Sequence, residues 1–61
     1  MPADIEALLA AVGWSQSEAG RRLGVSRNTV ARWAQRKNAP GAVVLLLSFL
    51  ARHKELLQEF S

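Results

Sequence analysis

A chain of 61 residues has room for one domain, and burying only about 60% of its unfolded surface leaves a marginal core. It holds no Cys and a single His, His53, which excludes disulfides and thiolate metal sites and leaves association with a second copy as the stabilising device. An apolar share of 49% excludes a disordered tail, and the longest apolar run, 42–47, is far too short for a bilayer span.

Asp4 and Glu6 stand where a secretory signal would carry cations, so a soluble, cytoplasmic protein is expected. A first helix is predicted over 3–12, where Ile5, Leu8, Leu9 and Val12 form one apolar stripe, with Pro2 before it and Gly13 ending it. Ser15 opens a second helix with a capping box. Its hydroxyl would accept from the Glu18 amide, and the Glu18 side chain would reach back to the Ser15 amide. On that helix Ala19, Gly20 and Leu23 face inward and Arg21 and Arg22 outward, until Gly24 supplies a left-handed stop.

Ser26 caps a third helix of about ten residues, with Val30, Trp33 and Ala34 on its buried side. Trp14 and Trp33 are both read as core residues. The first turn of the third helix carries Arg27 and Asn28 and no acid, against the usual preference for carboxylates at a helix start. A loop over 37–41 contains the breakers Asn38, Pro40 and Gly41. A fourth helix then begins near Gly41 and is apolar almost all round, so it must be covered on more than one face. Leu56, Leu57 and Phe60 continue an apolar stripe, either on the same helix or after a break at 52–54. Two short helices joined at Leu23-Gly24-Val25, with small residues on the first and apolar anchors on the second, make a helix-turn-helix arrangement.

Charge is one-sided along the chain. The acids are Asp4, Glu6, Glu18, Glu55 and Glu59, and none lies between 19 and 54. Arg21, Arg22, Arg27, Arg32, Arg36 and Lys37 fall in that gap, six of the eight Lys and Arg residues. Solvated faces normally mix both signs, so this clustering points to a polyanionic partner. One His, no Cys and scattered acids make no catalytic set, so an enzyme is not expected. Neither a cofactor nor a metal is expected.

The run Ser15-Gln16 … Ala19 … Leu23-Gly24-Val25-Ser26 … Thr29-Val30 … Arg32-Trp33 resembles the Cro/repressor-type (XRE-like) helix-turn-helix family. The resemblance covers 15–36 and implies an all-α, lambda-repressor-like fold of four to five short helices, one domain over 1–61, with dimerisation through a helix or helices at 41–60. Gly20 stands where that family more often has Ala, a change expected to soften the second helix by about 0.5–1 kcal/mol. The third helix would enter the major groove, with Arg27, Asn28 and Arg32 as base readers. Ser15, Gln16, Ser26, Thr29, Arg36 and Lys37 would contact the DNA backbone.

The expected protein is a homodimeric transcriptional regulator, a repressor of its own or an adjacent promoter, bound to an inverted repeat of double-stranded DNA. The interface would comprise Val43, Val44, Leu47, Phe49, Leu50, Leu56 and Phe60, with His53 on the surface near the seam. Small stand-alone regulators of this kind include phage Cro-like proteins, antitoxins and anti-CRISPR-associated autorepressors. The alternative is an antitoxin-like adaptor whose apolar C-terminal helix binds another protein, with DNA binding secondary. A tethering piece of a recombinase or terminase is disfavoured by the start at Met1 and the short C-terminal end, which fit a complete chain.

Overall fold

Each helix begins and ends on a local device. Asp4 accepts a 3.1 Å hydrogen bond from the Ala7 amide and caps α1, Ile5–Val12, and Gly13 in the left-handed region (φ 76°) closes it. The Ser15 hydroxyl accepts from the Glu18 amide at 3.0 Å to start α2, Gln16–Leu23, which Gly24 (φ 77°) ends. Ser26 accepts from the Thr29 amide at 3.1 Å to start α3, Arg27–Arg36. Pro40, with no side-chain cap, precedes α4, Gly41–Arg52, which breaks at His53, and a 3-10 segment runs over Lys54–Phe60. The computed structural model describes residues 1–60, with the side chains of 1–58. The fold is all-α, and no strand occurs among the described residues.

One small β-type element was not foreseen. An antiparallel bridge joins Pro2 to Asn38. Around it the Ala3 amide donates to the Lys37 carbonyl at 2.9 Å, and the Ala39 amide to the Met1 carbonyl at 3.1 Å. The Met1 ammonium donates to Asn38 Oδ1 at 2.8 Å and to the Ala39 carbonyl at 2.6 Å. This pairing consumes Ala3, which explains why α1 starts at Ile5 and not at residue 3. It also ties the chain's first residues to the exit of α3.

The core is one cluster of Ile5, Leu9, Val12, Trp14, Ala19, Val30, Ala34, Ala39, Val44, Leu47 and Leu50. Packing is closest between α2 and α3 and between α1 and α4, with the 3-10 segment laid on α4. Val44, Leu47 and Leu50 therefore belong to the chain's own interior, at 6%, 0% and 1% exposure. This corrects their expected place in a dimer interface, because they have no surface left to present. Val43 and Leu56 are half-buried against the same cluster. Phe49 remains 44% exposed, and the side chain of Phe60 lies outside the described residues. Leu45, absent from the expected set, is the most exposed of the large apolar residues among those described, at 63%.

Candidate nucleic-acid interface

The unit that presents α3 is built on close approach and not on bulk. Its buried residues are Ala19 and Gly20 on α2 and Val30 and Ala34 on α3. A Cβ at Gly20 would lie 2.8 Å from the Val25 carbonyl oxygen and 3.3 Å from the Arg27 amide nitrogen. That carbonyl belongs to the turn, whose Val25 amide donates back to the Gly20 carbonyl at 2.9 Å. Gly20 thus does more than soften α2. It lets the turn close directly on α2, so that Ser26 can cap α3 where it does.

With Val30 and Ala34 turned inward, α3 presents Arg27, Asn28, Arg32, Gln35 and Arg36 as exposed residues, with half-exposed Ala31 among them. Asn28, Arg32 and Gln35 follow at i, i+4 and i+7, one continuous outward stripe. The three expected base readers are therefore placed together on the free face of one helix. Gln35 joins them and was missed in the sequence, although its spacing from Asn28 and Arg32 already carried the signal. Ala31 adds a methyl group in the middle of the stripe.

The expected backbone-contacting residues fall into two sets around that stripe. Ser26 and Thr29 lie at the start of α3, with their hydroxyl oxygens 2.9 Å apart. Only one hydroxyl can donate in that pair, so the other keeps a proton for an external acceptor. Ser15 is exposed and Gln16 half-exposed at the start of α2, where the first amides are free of intrahelical partners. They line a shallow groove with Glu6, Leu9, Ala10 and Trp14.

Arg36 and Lys37 are exposed at the far end of α3. Lys37 holds a left-handed conformation at φ 53° and ψ 42°, the only non-glycine residue with positive φ among those described. An L residue with a Cβ is held there at about 1–2 kcal/mol, where glycine would sit without penalty.

Arg22 departs from the expected outward orientation. Its guanidinium carbon lies 5.2 Å from the centre of the Trp14 ring, and Nε is 3.8 Å from Glu18 Oε1. Nε is buried without a hydrogen bond, so the contact with Glu18 is Coulombic only. Arg21, 75% exposed, lies 3.6 Å from Glu18 Oε2. The Glu18 carboxylate thus turns to the two arginines and not back to the Ser15 amide. Among the described residues no ion pair engages Arg27, Arg32, Arg36 or Lys37. Trp14 is buried as expected, whereas Trp33 is only half-buried. Trp33 lines a shallow surface groove with Met1, Arg32, Arg36, Asn38, Ala39 and Pro40.

Two helices joined through a glycine turn, the second bearing an acid-free polar stripe, form a helix-turn-helix. The family model of the Homeodomain-like domain matches residues 6–46, about two thirds of the chain. The chain belongs to this homeodomain-like helix-turn-helix family. The match takes in α1, α2, α3 and the first half of α4, and leaves out the end of α4 and the 3-10 segment. No curated protein and no solved structure matches the chain. Family membership makes this a DNA-binding type of domain. No helix among the described residues is long and apolar enough to cross a membrane.

Proposed function

We propose that the protein is a sequence-specific transcriptional regulator of the Cro/repressor subtype, a non-enzymatic cytoplasmic homodimer that represses a promoter by occupying an inverted repeat. The observation that carries this reading is the outer stripe of α3. Arg27, Asn28, Arg32 and Gln35 are exposed on one helix with no acid in its first turn. Arg fits the O6 and N7 acceptors of guanine, and Asn and Gln fit the N6 and N7 edge of adenine. Ala31 would meet a thymine methyl group. Ser26, Thr29 and the free amides at the start of α3 hold one phosphate, and Gln16 and Ser15 at the start of α2 hold another.

Lys37 supports the same reading. A cation kept in a conformation that favours glycine is a local sacrifice of stability, and strain of this kind marks functional positions. With Arg36 it would grip the backbone beyond the recognition helix. A helix-turn-helix seated on a promoter would block polymerase, and on that ground the regulator is read as a repressor.

Selection of duplexes from a random pool by the purified protein, followed by titration of Arg32→Ala, tests the reading. Enrichment of one motif is expected, with Arg32→Ala losing about 1–3 kcal/mol and relaxing preference at one base position. Binding that remains indifferent to sequence and collapses with salt would reduce the domain to a non-specific tether.

A further inference from the structure

The first three helices each end on a left-handed residue, and one of the three endings is unlike the others. Gly13 closes α1 at φ 76° and Gly24 closes α2 at φ 77°, where the missing side chain leaves the angle free of strain. Their backbone bonds reach back only to the helix that they end. Lys37 closes α3 at φ 53° and carries its Cβ into a region that L residues avoid.

At Lys37 a distant segment closes over the turn. The Lys37 and Asn38 amides both donate to the Trp33 carbonyl, an ordinary local helix ending. In addition, the Lys37 carbonyl accepts from the Ala3 amide at 2.9 Å, and the Ala39 amide donates to the Met1 carbonyl at 3.1 Å. Pro2 and Asn38 stand opposite each other between these two bonds, so the missing amide of Pro2 leaves no bond unmade. Ala3 is half-buried against the core and Ala39 is buried, which anchors both sides of the bridge.

We propose that residues 1–3 are a positioning strap for DNA binding: by bonding across the end of α3 they hold Lys37 left-handed and fix where its ammonium meets the DNA backbone. The inference rests on the DNA-binding reading above and adds to it the residues that aim the Lys37 contact. Glycine would make the same turn without a strap, as it does after α1 and α2, and would bring no charge. Lysine keeps the charge and needs outside bonds to hold the angle. Strain and strap therefore belong together, and the charge of Lys37 is the reason for both. With the strap open, Lys37 would leave the left-handed region and its flexible four-carbon side chain would swing away from a fixed contact. Ala3 itself touches no DNA in this arrangement and acts only through Lys37.

The test separates aim from charge, because Ala3→Pro removes the amide that meets the Lys37 carbonyl and alters no charged group. Affinity for the duplex that the protein selects from a random pool is measured over a series of salt concentrations, with thermal melting of each variant alongside. The slope of log affinity against log salt should fall by about one phosphate contact in Ala3→Pro. Lys37→Ala should lower it by the same amount, and Ala3→Pro in the Lys37→Ala background should lower it no further. Ala3→Ser, which keeps the amide, should retain the natural slope.

Partial unfolding would reduce the active fraction and leave the slope where it was, so an unchanged slope in Ala3→Pro would overturn the strap. Losses that add in the double variant would also overturn it, since the effect would then bypass Lys37. If Ala3→Pro does not fold, amide exchange in the natural chain decides. Saturating DNA should slow the Ala3 and Ala39 amides more than the Trp14 amide, whose bond to the Leu9 carbonyl lies at the end of α1. Equal slowing of all three would sink the strap and leave the DNA reading intact. Failure to bind any duplex would instead bring down the DNA reading and the strap with it.

Discussion

The two halves of the molecule are held together by different means. The platform formed by α1 and α4 buries large aliphatic side chains, with Ile5 and Leu47 at 0% exposure and Leu50 at 1%. The reading unit formed by α2 and α3 buries Ala19, Gly20, Val30 and Ala34, and its closeness comes from backbone meeting backbone at Gly20. The platform's stability scales with apolar area, about 25 cal/mol for each Å² buried. The reading unit's shape depends on a few contacts that tolerate no added atom. A small protein can thus keep one face of α3 polar apart from Ala31, because the anchoring of α3 needs only two small side chains and the half-buried Trp33.

This contrast can be broken at the platform first. Leu47→Ala should cost about 2–5 kcal/mol through lost burial and the cavity left behind. A domain of this length holds only about 3–9 kcal/mol in total. Thermal melting followed by circular dichroism should therefore show a much lower midpoint, with DNA binding lost alongside the fold. A near-native midpoint would mean that α4 is not the keel of the core.

The reading unit should respond to a smaller change of opposite kind. Gly20→Ala adds one methyl group and gains about 0.5–1 kcal/mol of helix propensity, yet its Cβ would stand 2.8 Å from a backbone carbonyl. Overpacking of this sort costs about 1–3 kcal/mol, so the net effect should be a loss of about 1–2 kcal/mol. DNA affinity should fall further than stability alone explains, because the turn sets the placement of α3. A variant more stable than the natural chain would show that the turn relaxes freely and that the contrast is overstated.

The smallest expected effect is a gain. Lys37→Gly should stabilise the fold by up to about 1 kcal/mol, as relief of the left-handed strain is partly offset by the greater freedom of glycine in the unfolded chain. At the same time it should weaken DNA binding and lower its salt dependence by about one phosphate contact. Unchanged salt dependence would remove Lys37 from the backbone-gripping set and leave its conformation without a functional reason.

The order of the helices and most of their ends were legible in the sequence alone, the start of α1 and the break after α4 excepted. Ser15, Ser26, Gly13 and Gly24 act through hydrogen bonds and backbone angles that reach no further than four residues, so their effect is nearly independent of the rest of the fold. The outward stripe of α3 was legible for a related reason. Its polar and apolar residues alternate with helical period, and that contrast alone says which side is free.

The buried face of α4 could not be read this way. A run of Val43, Val44, Leu45, Leu46 and Leu47 has no polar side to orient it. Only packing against α1 and the 3-10 segment decided that Leu47 goes inward and Leu45 outward. Tertiary structure also decided the pairing of residues 1–3 with 37–39. It decided, too, the seating of Arg22 over Trp14 and the tight approach at Gly20. Each depends on where a second element or side chain comes to rest, and such positions are set by the summed packing of the whole chain rather than by local preference.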